Sequence, residues 1–455
     1  MSEKRIKPQN TKGTRDFLPQ QVARRNYIFN VIKDVFRKYG FEEIETPAFE
    51  RMETLTGKYG EEGDKLLFKI LNSGDFLKDT PKEELAAANS SSVLKHIAEK
   101  GLRYDLTVPL ARYVVQHQEN IAFPFRRFHI GPVWRADRPQ KGRYQEFYQC
   151  DADVIGSTSL INEVELTKIY CEVFERLGLK VTVRINHRKV LEAMAQAISS
   201  PQLLTQIVTA IDKLDKVKWE VVANDLAGEG LNAEQISTLE NLLAQKTTAY
   251  SLDVITKTEA GQKAFTDLTA VIALLRDNAN VQYDPSLARG LNYYTGLIWE
   301  VVLDKAEPAN QNISMGSLGG GGRYDNLTEM FGGQNMSGVG ISFGVERIYD
   351  VMEELNLFPQ AIQQSAKILF VPRDGGLEAF TYGLAQQLRE AGIAAEIFLG
   401  NVKKQKQFTY AEQKGIRYMA EIGADEQQSG VYRVRNTATR EEQKLDINSI
   451  IALLK

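Results

Sequence analysis

The sequence predicts an α+β domain built on an antiparallel sheet with flanking helices, interrupted by a helical insertion and followed by a separate C-terminal α/β domain. Three observations carry this. Two alternating, aromatic-rich runs, FRRFHIGPVWR and YQEFYQCDADV, flank a short cationic loop, as an antiparallel strand pair would. Between about His187 and Ala279 the strand signals fade, and Leu, Ala, Ile, Lys and Gln recur at helical spacing. After NLFPQAIQQSA the pattern turns to strand, helix, strand, helix, strand, the order of an independent α/β unit. The boundaries expected are 1–186 and 280–358 for the interrupted domain, 187–279 for the insertion and 366–455 for the tail.

The elements follow in order. From Gln21 to Tyr39, the residues Val22, Ile28, Phe29, Ile32, Val35 and Phe36 fall on one helical face, and Gly40 ends the helix. FEEIETPAFE has strand character, and Pro47 inside it marks an edge or interface position. Residues 61–100 are charged and in places Ser/Ala-rich, an exposed excursion to which no function is assigned. LRYDLTVPLARYVVQH passes from strand to helix with Thr107 as N-cap and Pro109 in the first turn, which puts Asp105 at the junction.

Composition narrows the function classes. A net charge of −3 over 455 residues excludes a protein that coats nucleic acid with its whole surface, so any nucleic-acid site is a local patch. Two cysteines and four scattered histidines lack metal-ligand spacing, so no protein metal site is expected. No apolar run reaches the roughly 18 residues of a membrane span, and the N-terminus has no apolar signal core. A cytoplasmic protein with no membrane partner is expected.

The stretch Val133–Asp153, VWRADRPQKGRYQEFYQCDAD, sets Arg135, Arg138, Lys141 and Arg143 against the single acid Asp137. Such a turn suits a polyanion; a solvated hairpin tip is the alternative. Alternation places Gln145, Phe147, Gln149, Asp151 and Asp153 on one face, and a sheet face that polar calls for a ligand. Arg135 closes the first strand where its planar guanidinium can grip a phosphate bidentately, each charge-assisted bond contributing on the order of 1.5–3 kcal/mol. In SGVGISFGVERIYDVMEEL, Gly338 and Gly340 let a flat ring approach the strand backbone. Arg347 lies in the first turns of the helix that follows, against the macrodipole trend, so an anionic ligand or a salt bridge to a neighbouring acid must account for it. In LARGLNYYTGLIWEVV, alternation sends Tyr293 and Tyr294 to opposite faces, so one meets a ligand and the other packs. The run Gly319 to Gly322 reads as a flexible turn or a phosphate cradle.

Taken in order, the helix and strand ending at Pro47, then FRRFHIGPVWRADRPQKGRYQEFYQCD, then GVGISFGVERI resemble motifs one, two and three of the class II aminoacyl-tRNA synthetases. Within that class, TKGTRDFLP, LRYDLTVPLARY, ARGLNYYTG and GGGRYD are similar to the histidyl-tRNA synthetases, and the tail resembles their anticodon-binding domain. The resemblance implies an aminoacyl-tRNA ligase that activates L-histidine with ATP and Mg²⁺ to histidyl-adenylate, releases pyrophosphate, and passes the histidine to tRNA(His). It also implies a homodimer joined through motif one. On this likeness Arg135 binds the ATP α-phosphate, Arg347 reaches the γ-phosphate end, and Gly338 and Gly340 belong to the ATP site. Arg289 stabilises the α-phosphate as the histidine carboxylate attacks, which makes Arg289 and Arg135 the catalytic pair. Asp105, Leu106 and Thr107, with Gln149 and Asp153, hold the histidine, joined by Tyr293 or Tyr294 and by Tyr324. In-line attack needs two anions held together and charge neutralised at phosphorus, not a protein nucleophile. An imidazole site that hydrogen-bonds its substrate rejects apolar analogues by on the order of 10⁴–10⁵, so the insertion is expected to contact tRNA instead of editing.

Three positions depart from the family's common pattern: Gln145 where Arg is frequent, Asn292 where Asp is usual, and Asp105 in place of Glu. Two other readings compete. One is an inactive paralogue that regulates a phosphoribosyltransferase, against which ARGLNYY and the long tail speak. The other is a class II synthetase for threonine, proline or glycine, against which LRYDLT, ARGLNYY and QCDAD speak.

Overall fold

A computed structural model describes residues 7–57, 60–244, 257–288, 294–326, 328–332, 336–359, 362, 366–400 and 402–455. The chain divides into two compact units, one of Arg25–Phe358 with the segment up to Asp16, the other of Pro359–Lys455 with Phe17–Arg24.

Helix α1 (Pro19–Lys38) buries Ile28, Ile32, Val35 and Phe36, the apolar stripe its spacing predicts. It ends at Gly40, whose φ of 77° is left-handed. The segment that follows is not one strand. It splits at Pro47 into β1 (Glu42–Glu43) and β2 (Phe49–Arg51), because proline has no N–H to give a ladder. β2, β3 (Lys69–Ile70) and β4 (Lys100–Leu102) form a small antiparallel sheet in the order β2-β4-β3. The stretch from 61 to 100 is therefore not only an excursion: Leu55 and Leu67 close a small core with Tyr104 and Val108. Helix α2 (Thr107–His117) leads to the central sheet.

That sheet has eight strands in the order β1-β5-β6-β11-β10-β9-β7-β8. Its members are β5 (Phe125–Trp134), β6 (Glu146–Ile155), β7 (Val181–His187), β8 (Val281–Tyr283), β9 (Leu297–Leu303), β10 (Gly319–Tyr324) and β11 (Gly338–Gly344). The six central strands are antiparallel and only the two edge strands pair in parallel. The run Gly319 to Gly322 is thus neither turn nor cradle but the interior of a strand. One sheet face packs on α1 and α3 (Ile161–Arg176). There Phe36, Phe128, Tyr170, Phe174 and Phe343 form a continuous ring cluster with centroids 4.8–6.4 Å apart. Between β7 and β8 the described residues form helices, among them Arg188–Ala197, Trp219–Gly228, Ala233–Ala244 and Glu259–Leu275. Helix α4 (Val345–Glu354) closes the unit.

The second unit has its own five-stranded sheet in the order β13-β12-β14-β15-β16, from β12 (Ile368–Pro372), β13 (Ala395–Ile397), β14 (Tyr418–Ile422), β15 (Tyr432–Asn436) and β16 (Glu442–Leu445). The first three are parallel, as strand-helix alternation requires. The β15–β16 hairpin adds an antiparallel edge that the sequence pattern does not announce. Helices Glu378–Glu390 and Ile447–Leu454 supply Leu384, Leu388, Ile450 and Leu454 to the core on one side of it.

Candidate active site

The sheet face opposite the ring cluster is polar, and the strand registers say why. β5 and β6 set Arg127 against Asp153, His129 against Asp151 and Gly131 against Gln149. β11 continues these rows with Gly340, Ser342 and Gly344, and β10 adds Gly322 and Gly320 to the first two. Opposed residues share a face, so Gln149, Asp151 and Asp153 lie together as alternation predicts. Residues one step along, Phe128, Cys150, Ala152 and Phe343, are in the core.

The glycines of β10 and β11 make room for the protein's own side chains. A Cβ on Gly340 would lie 1.9 Å from Asp153 Oδ1, and one on Gly338 would lie 2.3 Å from the Tyr324 ring. The sequence predicts a ligand's ring over Gly338 and Gly340; instead Tyr324 and the Asp153 carboxylate fill that space. Tyr294 lies in the same way against Gly322, in the row that contains Asp153 and beside Tyr324 in one cluster. Tyr293 and Arg289 fall outside the described residues.

Charge is concentrated here without solvent. The Tyr324 hydroxyl donates to Asp153 Oδ1, and Arg127 Nη2 lies 2.6 Å from Asp153 Oδ2. Burial pushes the Asp153 carboxyl up, and Arg127 and the Tyr324 hydroxyl pull it back. Burial and the neighbouring Asp153 charge push Asp151 up to about 7. Among the described residues the Arg127 guanidinium makes its ion-pair contact with Asp153 and not with Asp151, which favours charge on Asp153 over Asp151. Burial, with Arg127 and Arg103 nearby, lowers His129 to about 3, so its imidazole is neutral and no base at neutral pH. Gln149 Nε2 donates to Ser342 Oγ at 2.9 Å. Gln149 Oε1 and Asp151 Oδ1 are buried acceptors with no hydrogen-bond partner among the described residues.

Asp105 is buried at the start of α2, where its Oδ1 accepts from Val108 N at 3.0 Å. Thr107 is therefore not the cap but the first helical residue; Leu106 holds the N-cap position, and the Asp105 carboxylate one residue earlier accepts the free helix N–H. Leu106 between them is fully buried. Arg135 follows β5, its guanidinium between the rings of Tyr104 (4.2 Å) and Phe147 (5.2 Å), with Nε donating to Tyr104 O at 3.1 Å. That clamp spends one nitrogen and fixes the plane of the fork. Arg347 donates from Nε to Gly142 O (2.7 Å) and from Nη1 to Ser317 O (2.8 Å), so backbone carbonyls hold it. The turn between β5 and β6 offsets part of its own charge, as Arg143 pairs with Asp137 and Lys141 with Glu354, each at 2.8 Å.

The family model for histidyl-tRNA synthetase matches residues 13–77 and 95–348, and that for the anticodon binding domain matches 367–455. The chain belongs to the histidyl-tRNA synthetase family. It is 46% identical over 99% of both chains to the histidine-tRNA ligase of Christiangramia forsetii, and 47% identical to that of Bacteroides fragilis over 98% of this chain and 99% of the relative. The crystal structure of histidyl-tRNA synthetase from Nostoc sp. PCC 7120 superposes with a TM-score of 0.80 at 28% identity, covering 99% of each chain. A structure titled as an ATP phosphoribosyltransferase regulatory subunit/histidyl-tRNA synthetase from Bacillus halodurans C shares the fold at 20% identity and TM-score 0.73. Full-length kinship with the ligases makes this histidyl-tRNA synthetase family member an aminoacyl-tRNA ligase that uses ATP, not the regulatory paralogue.

Within this member of the family, sequence reading passes over several groups that shape the site. Arg127 is one; the period-two argument applied to β5 as well as to β6 would have found it opposite Asp153. Arg103 is another. Its Nη1 donates to Thr46 O (2.7 Å) and its Nε to Pro132 O (2.8 Å), so it ties the Pro47 segment to β5. Arg15, in TKGTRDFLP, stacks 3.8 Å from the Tyr144 ring centroid and donates to Tyr144 Oη (2.8 Å) and Asp350 Oδ1 (3.0 Å), which fastens the N-terminal segment to the β5–β6 turn. No local pattern signals contacts between residues so far apart in the chain.

Proposed function

We propose that the polar face of the central sheet is the histidine site and that the β5–β6 turn, with Arg135, carries the ATP. The observation that carries this is the pair of buried acceptors, Gln149 Oε1 and Asp151 Oδ1, on one sheet face with Asp153, which is paired to Arg127 and bonded to Tyr324. Buried polar atoms without partners are costly, and a small zwitterion with an imidazole supplies donors for them. Asp153 and Gln149 bind the histidine with Asp105, Thr107, Tyr324 and one of Tyr293 and Tyr294. Arg135, its plane held between Tyr104 and Phe147, binds the α-phosphate. Arg347, at the N-terminal end of α4, lies where the far end of a bent triphosphate would replace its carbonyl partners. Arg289 neutralises the charge that develops on the α-phosphate as the carboxylate attacks it, and the adenylate then passes its histidine to tRNA(His).

Mg²⁺ enters as MgATP, bound chiefly by the phosphates. The helices between β7 and β8 and the second unit are the proposed tRNA contacts. A homodimer through α1 and the Pro47 segment is proposed from the likeness of these elements to motif one. No helix among the described residues is long and apolar enough to cross a membrane, and tRNA as a substrate supports a cytoplasmic location.

The test is pyrophosphate–ATP exchange by the purified protein without tRNA, over all twenty amino acids. Exchange with histidine alone, lost in Arg289→Ala, is expected; exchange with another amino acid, or with none, overturns the reading.

A further inference from the structure

Arg127 heads the fully buried side chains of this protein, with no surface exposed to solvent. It lies on β5, two residues from His129 and directly opposite Asp153, and its one ion pair among the described residues is the 2.6 Å contact to Asp153 Oδ2. None of its nitrogens, Nε, Nη1 or Nη2, makes a hydrogen bond among the described residues, so the contact to Asp153 Oδ2 is an ion pair by distance. Such a pair contributes little to stability, since a well-packed apolar side chain of similar volume serves as well or better in a buried position. Its presence has to be explained by what it does to Asp153.

We propose that Arg127 is a positioning residue for histidine binding, which holds Asp153 as the ionised member of the Asp151–Asp153 pair and fixes its carboxylate plane toward the substrate. The inference rests on the assignment of this face to histidine. Each carboxylate oxygen has two lone-pair directions. Tyr324 uses one on Oδ1, and the Arg127 charge stands 2.6 Å from Oδ2, so the carboxylate is held at both ends and keeps acceptor capacity for a substrate N–H. Without the guanidinium, two buried carboxyls would face each other with no cation within contact distance and both would take up protons. A protonated Asp153 would present a hydroxyl in an orientation set by Tyr324 alone. Around this pair stand Arg127 and His129 of β5, Tyr324 of β10 with Tyr294 beside it, and Arg103 and Asp105 of the segment before α2, the Asp105 charge adding to the upward push on Asp151. His129 is neutral and Arg103 is engaged with Thr46 and Pro132, so neither replaces Arg127.

The experiment is pyrophosphate exchange by the full-length protein, with KM measured separately for histidine and for ATP in wild type, Arg127→Gln and Arg127→Lys. The loss of one charge-assisted contact predicts a histidine KM raised about tenfold or more in Arg127→Gln. The ATP KM is expected to stay at the wild-type level, and Arg127→Lys to recover most of the loss. Arg127→Gln removes half of a buried pair and can fail to fold. In that case Arg127→Lys carries the test, with a histidine KM raised about threefold at unchanged ATP KM. A histidine KM unchanged in a folded variant, or histidine and ATP constants raised together, overturns the positioning role and leaves Arg127 a structural tie. Wild-type protein that shows no exchange with histidine overturns the underlying site assignment as well, so the two failures are distinct.

Discussion

Asp151 and Asp153 stand two residues apart on one strand, both buried, and Arg127 contacts only one of them. The second proton therefore has a definite address. Asp151, raised from 3.8 to about 7 by burial and by its neighbour's charge, binds a proton in the folded chain across a window where the unfolded chain has released it. The folded state holds more protons between pH 4 and 7, so this group's contribution to stability falls as pH rises through that window and its loss is complete above about 7. Asparagine reproduces the shape of the protonated carboxyl. Asp151→Asn is thus expected to melt at a higher temperature than wild type at pH 8 and at nearly the same temperature at pH 4.5, read by thermal unfolding at both; an equal shift at the two values would show that Asp151 is ionised in the fold. Arg135 carries a different expectation. Its Nε and both faces are engaged by Tyr104 and Phe147, so lysine, which has no plane to clamp and no fork, cannot replace it. Arg135→Lys should lower kcat/KM for ATP in exchange by about 10²-fold or more, with the circular dichroism spectrum of wild type.

At the scale of elements, the rows across β5, β6, β11 and β10 convert strand register into chemistry. Gly340 shows how tightly. Because its absent Cβ is where Asp153 Oδ1 stands, at 1.9 Å, Gly340→Ala must drive the carboxylate away from both Tyr324 and Arg127 or push the two strands apart. Loss of histidine-dependent exchange by more than about 100-fold is expected, while Gly320→Ala, whose Cβ meets only Trp299 O at 3.4 Å, should retain most activity; equal losses would show that strand packing, not Asp153, is at stake. The same strands show what a sequence discloses. Alternation in YQEFYQCDADV places Gln149, Asp151 and Asp153 on one face because a strand's period is two whatever surrounds it. The six-strand antiparallel order is set by β6 meeting β11, whose paired residues lie more than 180 positions apart, whereas Arg127 faces Asp153 across the neighbouring strands β5 and β6 and was within reach of the period-two argument. The split of the Pro47 segment was half legible: proline forbids a ladder bond, but only the small β2-β4-β3 sheet determines where the chain goes next.

At the scale of the whole molecule, the two units have separate sheets and separate cores, with Phe370, Leu388, Ala420 and Ile450 in one cluster of the second unit and none of the proposed adenylation residues outside the first. Formation of the adenylate requires histidine, ATP and the polar sheet face, all assigned to the first unit. Transfer requires that tRNA(His) be held, and the second unit matches the anticodon binding domain. A chain ended after Phe358 is therefore expected to keep histidine-dependent pyrophosphate exchange within about tenfold of the full chain and to lose tRNA charging by more than about 100-fold, since binding energy lost at a remote site falls on the step that uses it. Both activities measured on the same preparation decide the matter. If charging survives, tRNA is held by the first unit and its helical insertion alone. If exchange is lost while the truncated chain still melts cooperatively, the second unit supports the adenylation site itself, and the division of labour between two independently built cores does not hold.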